Sequence, residues 1–182
     1  RPLKDTVFSA AEWFEQTFDR RYGGFGASPK FPSPHNLLFL LRYSILEHDS
    51  HALEMVEKTL RQMYRGGIFD HVGFGFSRYS TDEKWLVPHF EKMLYDNALL
   101  TIAYLEAFQI TRDGFYKTVA EKTMTYILRE MTDENGGFYC AQDADSDGRE
   151  GKYYVFTPEE ITSILGETDA KAFIEHFGMT QE

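Results

Sequence analysis

The sequence predicts an all-α fold of antiparallel helical hairpins, with small β-hairpins in the long loops between them. Apolar residues recur at helical spacing in seven separate runs along the 182 residues. Three runs end in a glycine pair followed by large apolar residues, and glycine stops a helix because it reaches backbone conformations that a Cβ forbids. Three similar stops indicate duplicated helical hairpins. The pairs are Gly23–Gly24, Gly66–Gly67 and Gly136–Gly137.

The first four helices are recognised by apolar residues on one face, and most also by a start signal. Ser33 is predicted to cap the second helix, with Pro34 at its first position, where proline is favoured. Ser50 begins the third helix after a short polar break. The fourth and longest begins at Pro88, after an irregular stretch over 66–87. The predicted ranges are 5–18, 34–45, 50–63 and 88–105.

The last three helices follow the same period, over 115–131, 158–165 and 168–177. Thr157 and Glu160 form a capping box at the start of the sixth helix. A β-hairpin is predicted before that helix, with strands over 137–141 and 152–156 and a turn at 145–148.

Long and tight connections alternate along the chain. The links after the first, third and fifth helices are long and begin with a glycine pair, whereas the other links are short. Short links favour antiparallel neighbours. If successive helices are antiparallel, all three long loops emerge at the same end of the bundle. The sequence therefore predicts one face that carries the functional loops.

Composition narrows the possible partners. A net charge of −10 disfavours nucleic acids and anionic membranes, and no apolar run approaches the length of a membrane span. Cys140 is the single cysteine, so an internal disulfide is excluded, which fits a reducing, cytoplasmic compartment. The aromatic content of 16% fits an aromatic core between helices, with sugar-stacking surfaces as the second interpretation.

No cofactor and no metal ion is predicted. The histidines lack the spacing of zinc ligands, and the sequence has no serine nucleophile motif. Asp143, Asp145 and Asp147, followed by Gly148, resemble the start of a calcium loop. The EF-hand interpretation fails because position twelve is Tyr154, where a glutamate is required.

The second long loop and the helix after it hold most of the candidate chemistry. His89, Lys92 and Asp96 have the spacing i, i+3 and i+7, so we expect them to share one helical face. A histidine and a carboxylate on one face can exchange protons with a ligand. The alternative is that these polar groups pair with one another and hold the loop against the helix.

Two sets of site residues follow from this interpretation. The candidates for proton transfer are His89, His71, Asp70, Asp96, Asp143 and Asp145. The candidates for substrate binding supply charges that orient polar groups or rings that stack: Arg78, Tyr79, Trp85, Lys92 and Lys30.

Long motifs in all three loops carry a resemblance to a known family. They are GGFGASPKFP at 23–32, GGIFDHVGFGFSRYS at 66–80, WLVPHFEKMLYDNA at 85–98, and the segment 136–146. These motifs resemble the YyaL-like family, which includes spermatogenesis-associated, thioredoxin-domain-containing proteins. The likeness extends over about 6–177.

The resemblance implies a thioredoxin-like domain followed by an (α/α)6 toroid of the six-hairpin glycosidase type, similar to sugar 2-epimerases. Residues 1–182 would form a single partial toroid domain, without the thioredoxin-like domain and the rest of the toroid. Apolar faces built for absent neighbours would then favour self-association. In such toroids the loops at one end surround a sugar-binding cavity.

Two kinds of function remain open at this point. The toroid module binds or processes a carbohydrate-like small molecule, with histidines as acid and base as in epimerases or with a carboxylate pair as in hydrolases. The alternative is a non-catalytic binding or interaction module that serves the thioredoxin-like domain of the same full-length chain. The family resemblance carries the carbohydrate link by fold analogy alone.

Overall fold

Helices dominate the computed structural model, which describes residues 2–180. The helices are α1 Pro2–Thr17, α2 Pro34–Leu46, α3 Ser50–Arg65, α4 Leu94–Thr111, α5 Gly114–Glu130 and α6 Pro158–Phe177. The two-residue strands are β1 Tyr79–Ser80, β2 Pro88–His89, β3 Lys92–Met93, β4 Ala141–Gln142, β5 Asp145–Ser146 and β6 Arg149–Glu150. They pair antiparallel as β1–β2, β3–β4 and β5–β6. The all-α prediction with small β-hairpins is confirmed.

The described chain divides after Asp143 into two compact units. The first holds α1 to α5 and four strands, and the second holds the β5–β6 hairpin and α6. In the second unit, Thr157 and Glu160 form the predicted capping box, and Gly166 breaks the helical backbone between the two predicted helical segments. That all of the chain belongs to one partial toroid domain stays a prediction.

The core of the first unit lies between α2, α3, α4 and α5. Leu37, Leu60 and Leu100 are completely buried there, as the helical periodicity requires. Tyr104 is also completely buried, and its hydroxyl donates a 2.6 Å hydrogen bond to the Leu60 carbonyl oxygen. A buried phenol is tolerated because this bond satisfies its polar atom.

The first two glycine pairs are required by close packing against one tryptophan as well as by turning. Gly24 has a φ of 81°, and a Cβ on it would lie 2.6 Å from the Trp85 ring. Gly66 has an ordinary φ of −80°, yet a Cβ there would lie 2.2 Å from the Trp85 carbonyl oxygen. The indole of Trp85 is completely buried and donates to the Tyr22 carbonyl oxygen at 2.9 Å. Trp85, in the second loop, therefore holds the first loop against the second through these contacts.

All three long loops meet at one end of the first unit. Lys30 in the first loop and Ser80 in the second exchange backbone hydrogen bonds of 2.8 and 2.9 Å. In the next sheet, Lys92 of the second loop pairs with Gln142 of the third. The prediction that the glycine-marked loops share one face is confirmed.

Two predicted element boundaries are wrong. The fourth helix begins at Leu94 rather than at Pro88, because residues 88–93 form ladders with the first part of the loop and with the third loop. Residues 137–141 do not pair with 152–156, since β4 pairs with β3. The tight turn is in the predicted place, at Asp147 and Gly148, which both have positive φ between β5 and β6.

The start of α2 is partly as predicted. Pro34 is its first residue, but Ser33 adopts a left-handed conformation and its side chain makes no capping hydrogen bond. Within residues 2–180, no helix combines the length and the hydropathy that a membrane span requires.

Candidate functional site

A cleft of about 220 Å³ opens between the first loop, the start of α2 and the start of α4. We call it the Asp96 cleft, and its lining residues are Phe31, Ser33, Pro34, His35, Tyr95, Asp96 and Leu99. Asp96 is only 7% exposed, and no residue within 2–180 donates a hydrogen bond to its carboxylate. A buried carboxylate without a donor is uncommon, because burial of an unpaired charge is unfavourable.

Burial raises the pKa of Asp96 to about 6. The positive charge of Arg78 acts in the opposite direction, and the negative charge of Glu91 raises the pKa further. A carboxyl group with a pKa near 6 exists in both protonation states close to neutral pH. Such a group can give or accept a proton during a reaction.

A charged network lies next to this carboxyl group. Arg78 donates to Glu91 over 2.8 Å from Nη1 to Oε2, and its backbone N–H donates to the Glu91 carbonyl oxygen at 2.8 Å. The bond from Glu91, and then the charge of Tyr95 when ionised, raise the pKa of Arg78. His89 Nε2 lies 3.7 Å from the same Glu91 oxygen. Arg78 and Glu91 therefore compensate each other's charge.

Three rings form a ladder beside the cleft. The rings of Phe31 and Tyr79 have centroids 4.8 Å apart, and Tyr79 stacks on His89 at 5.0 Å. The β1–β2 register produces this stack, because Tyr79 and His89 are direct cross-strand partners. Phe31 is 47% exposed, so one ring of the ladder is open to a ligand.

Two of the predicted binding residues, Lys30 and Trp85, are buried together. We call the buried Lys30 ammonium group and the groups that it binds the Lys30 clamp. The ammonium group of Lys30 donates to Asp19 Oδ2 at 2.6 Å and to the carbonyl oxygens of Gly23 and Glu83 at 3.0 and 2.8 Å. These bonds use all three of its donors. Trp85 is completely buried against the same clamp, 5.4 Å from the Lys30 ammonium group. The placement of Lys30 and Trp85 leaves neither a donor nor a ring face for a ligand.

Lys92 and Asp70 form a second buried clamp. Lys92 Nζ donates to Asp70 Oδ2 at 2.9 Å and to the Phe74 carbonyl oxygen at 2.8 Å. Burial alone would raise the pKa of Asp70, but the bonds from Lys92 and from the backbone of Gly73 and Val72 hold it below its usual value. Burial lowers the pKa of Lys92, against the effect of Asp70.

The expected shared face of His89, Lys92 and Asp96 is wrong. His89 lies in β2, Lys92 lies in β3, and of the three only Asp96 belongs to α4. The three side chains therefore follow strand and loop geometry, and they face different neighbours.

The remaining candidates lie outside the cleft lining. His71 is exposed and packs edge-on against Tyr64 and Phe69. Asp143 is exposed at the end of the first unit, and Asp145 belongs to the second unit. The catalytic or binding roles of all these residues stay predictions.

Five polar or aromatic residues at or beside the cleft were not among the predicted site residues: Phe31, Ser33, His35, Glu91 and Tyr95. A signal existed for one of them. If residues 88–93 had been recognised as extended, the two-residue period would have placed Glu91 on the same side as His89. Phe31, His35 and Tyr95 come from three different elements, so no local pattern connects them.

Two larger grooves of about 420 and 410 Å³ flank α2, and His35 lines the second of them as well as the Asp96 cleft. Ile45 and Leu46, 53% and 76% exposed, are among the mainly apolar residues that line them. The predicted self-association would use such surfaces and stays a prediction. Within residues 2–180, no three His, Cys, Asp or Glu side chains are grouped to hold a metal ion.

Curated relatives match most of this chain. It is 44% identical over 186 residues to spermatogenesis-associated protein 20 of Homo sapiens and 42% identical to the Mus musculus protein. Each alignment covers 92% of this chain and 24% of the relative. The chain therefore spans about a quarter of the length of the relatives that it matches. No family model matches the chain.

Similar solved structures are carbohydrate epimerases, isomerases and glycosidases. Cellobiose 2-epimerase from Bacillus thermoamylovorans superposes with a TM-score of 0.66 at 12% identity, over 94% of this chain and 53% of that one. A D-mannose isomerase superposes with a TM-score of 0.57 at 18% identity, over 70% of this chain and 33% of that one. A glycoside hydrolase family 76 mannosidase from Bacteroides thetaiotaomicron superposes with a TM-score of 0.53 at 15% identity, over 79% of this chain and 41% of that one.

At such identities the likeness shows the fold, which is the α/α toroid. The chain is thus homologous to one segment of the spermatogenesis-associated protein 20 family, and both the resemblance and the fold class predicted from its motifs are confirmed.

Proposed function

We propose that the Asp96 cleft binds a carbohydrate-like small molecule and that Asp96 exchanges a proton with it. The observation that carries this proposal is the buried Asp96 carboxyl group, which accepts no hydrogen bond from the described part of the chain, lines a cleft and has a pKa of about 6. The sugar enzymes among the similar structures support the ligand class.

The other groups around the cleft have roles that suit a sugar. The exposed ring of Phe31, supported by Tyr79, offers a flat apolar surface to the C–H face of a pyranose. Ser33 and Tyr95 offer hydroxyl groups to the hydroxyls of the ligand, and His35 offers a second group for proton transfer.

The reaction type that these groups favour is epimerase- or isomerase-like. Moving a hydrogen beside a carbonyl requires one acid and one base, and Asp96 with His35 supplies such a pair. A glycosidase uses two carboxyl groups on opposite sides of the scissile bond. The second carboxylate near this cleft, Glu91, is engaged with Arg78 at 2.8 Å and is less free to act.

The test uses the full-length protein, because this chain is a segment of the length of its relatives. Neutral monosaccharides and disaccharides are screened for binding by ligand-observed NMR and for conversion by product analysis. Asp96→Asn preserves the side-chain volume, so binding should persist while conversion falls by about 10²- to 10⁴-fold, the usual contribution of a general acid or base.

The matched control for this test is Asp133→Asn. Asp133 accepts hydrogen bonds from Asn135 and Tyr139 in the third loop and does not line the cleft. Its substitution should leave conversion unchanged. Full conversion by the Asp96→Asn protein would contradict the role of Asp96, and absence of any sugar binding would contradict the proposed function itself.

The second candidate function is an interaction module for a thioredoxin-like domain of the same full-length chain. The two apolar grooves beside α2 favour it, because exposed apolar surface of this kind is typical of interaction sites. The same screen separates the two functions, since an interaction module would bind none of the sugars.

A further inference from the structure

The charges around the Asp96 cleft define which sugars it can accept. Of the residues that the structure describes, none that lines the cleft is a lysine or an arginine. Lys30 and Lys92, which the sequence offered as ligand contacts, are held in buried pairs with Asp19 and Asp70. Arg78 is the cation close enough to act on Asp96, and Glu91 compensates its charge at 2.8 Å.

The helix starts beside the cleft do not replace these missing cations. A helix N-terminus binds anions through free backbone N–H groups. At the start of α2, Pro34 has no N–H, and the N–H of Asn36 donates to the Ser33 carbonyl oxygen at 2.9 Å. At the start of α4, the N–H of Leu94 donates to the Cys140 carbonyl oxygen at 2.9 Å.

The first turn of α4 is also already occupied by a negative charge. Asp96 lies in that turn, where its carboxylate interacts favourably with the helix dipole. An anionic ligand group at the same place would be repelled by this carboxylate. The start of α4 is therefore unsuitable for a phosphate group, and the start of α2 offers fewer N–H groups than a helix N-terminus ordinarily does.

We infer that the Asp96 cleft selects an uncharged sugar and rejects sugar phosphates and uronic acids. This inference rests on the proposed function, because it specifies the ligand class of the same site. Recognition of a phosphate or a carboxylate is strongest with a free guanidinium, a free ammonium group or a cluster of N–H groups. The cleft presents a carboxyl group, hydroxyl groups, an imidazole and a ring face instead.

The experiment compares neutral sugars with their charged derivatives on the full-length protein. Binding of the neutral sugars D-glucose, D-mannose and cellobiose and of the anionic derivatives glucose 6-phosphate, mannose 6-phosphate and glucuronate is measured separately by calorimetry at pH 8. Each anionic derivative should bind at least about tenfold more weakly than its neutral parent, which is the size of a moderate charge repulsion.

A variant removes the negative charge that compensates Arg78 beside the cleft. Glu91→Gln leaves Arg78 without its anionic partner, so the difference between neutral and anionic sugars should shrink by about tenfold. The matched control is Glu106→Gln, which removes the partner of Arg42, bound at 2.7 Å beside α2 and outside the cleft. The control should leave the difference unchanged.

The outcomes separate this inference from the proposed function. Tighter binding of a phosphate or a uronate by the unmodified protein would overturn the inference and leave the proposed function standing. Binding of none of the six compounds would contradict both. The comparison on the unmodified protein decides the matter even if Glu91→Gln fails to fold.

Discussion

Asp70 and Asp96 are two aspartates at the same loop face with opposite environments. Asp70 accepts from Lys92 and from the backbone N–H groups of Val72 and Gly73, at 2.7 to 2.9 Å. No hydrogen-bond donor reaches Asp96 within residues 2–180. Burial acts to raise the pKa of both groups, yet the pKa of Asp70 is lowered, whereas that of Asp96 rises to about 6.

Hydrogen bonding distinguishes a structural carboxylate from a candidate functional one in this protein. Burial alone does not separate them, because both are partly removed from solvent. Satisfaction by hydrogen bonds does, since a satisfied carboxylate is stable as an anion and an unsatisfied one is available to a ligand. The Lys92–Asp70 clamp belongs to the fold, and the Asp96 cleft belongs to the proposed activity.

Breaking the Lys92–Asp70 pair should destabilise the chain strongly. Lys92→Met leaves the Asp70 carboxylate and the Phe74 carbonyl oxygen without their cation. Removing one member of a buried ion pair lowers the free energy of unfolding by about 3–5 kcal/mol, and the two backbone hydrogen bonds that Asp70 keeps place the expected loss at the lower end of this range. Urea denaturation followed by circular dichroism measures this loss in the purified chain.

The control for this prediction is another lysine–carboxylate pair. Lys117 lies 3.6 Å from Glu121 on the surface of α5, and Lys117→Met should change the free energy of unfolding by less than about 1 kcal/mol. Equal effects of the two substitutions would mean that the Lys92 pair contributes no more than a surface pair does.

The second prediction is that a substitution of Asp96 raises the free energy of unfolding, whereas the substitution of Lys92 lowers it. The pKa of Asp96 in the folded chain, about 6, lies above the reference value of 3.8, so folding becomes less favourable as pH rises from about 4 to 6. Asp96→Asn removes this dependence. It should stabilise the chain by about 3 kcal/mol above pH 6, the free-energy equivalent of the pKa difference, and by nearly nothing well below pH 4, where the carboxyl group is protonated in both states.

Asp82→Asn provides the comparison across the same pH range. Burial would raise the pKa of Asp82, but bonds from the backbone N–H groups of Val87, Lys84 and Leu86 hold it below its usual value. This substitution should therefore lower stability above pH 4, and the loss should disappear in acid. If Asp96→Asn destabilised the chain at pH 8 as well, Asp96 would be a structural carboxylate like Asp70.

Much of the fold could be predicted from sequence because the relevant signals are local. Asp49 and Thr157 act as side-chain caps, and the helical periodicity of α3 and α5 locates the core. The alternation of long and short links was enough to bring the loops to one face. The start of α4 was missed because it depends on strand pairing with residues about 50 positions away, which no local pattern contains.

The candidate site was predictable only in part, for a different reason. Arg78 and Tyr79 were recognised in the second long loop and Asp96 in the helix predicted after it, and all three lie at or beside the cleft. Lys30 and Lys92 carry the same local signal, yet each has buried partners contributed by distant segments. Whether a charged side chain is satisfied depends on tertiary contacts, and sequence spacing does not report them.

A modest change in affinity is expected when the exposed ring of the ladder beside the Asp96 cleft is removed. Phe31 is 47% exposed and supported on one side by Tyr79, so Phe31→Ala should change the stability of the chain by less than about 1 kcal/mol. Loss of one stacking surface should weaken binding of a neutral sugar by about three- to tenfold, since an aromatic contact contributes about 0.5–1.5 kcal/mol. Titration calorimetry on the full-length protein measures the change.

Phe138→Ala, which removes a similarly exposed ring from the third loop outside the cleft lining, should leave the affinity unchanged. Equal weakening by both substitutions would place the sugar elsewhere on the loop face. The unsatisfied carboxylate of Asp96 would then not mark the ligand site, and its contrast with Asp70 would not separate a functional carboxylate from a structural one.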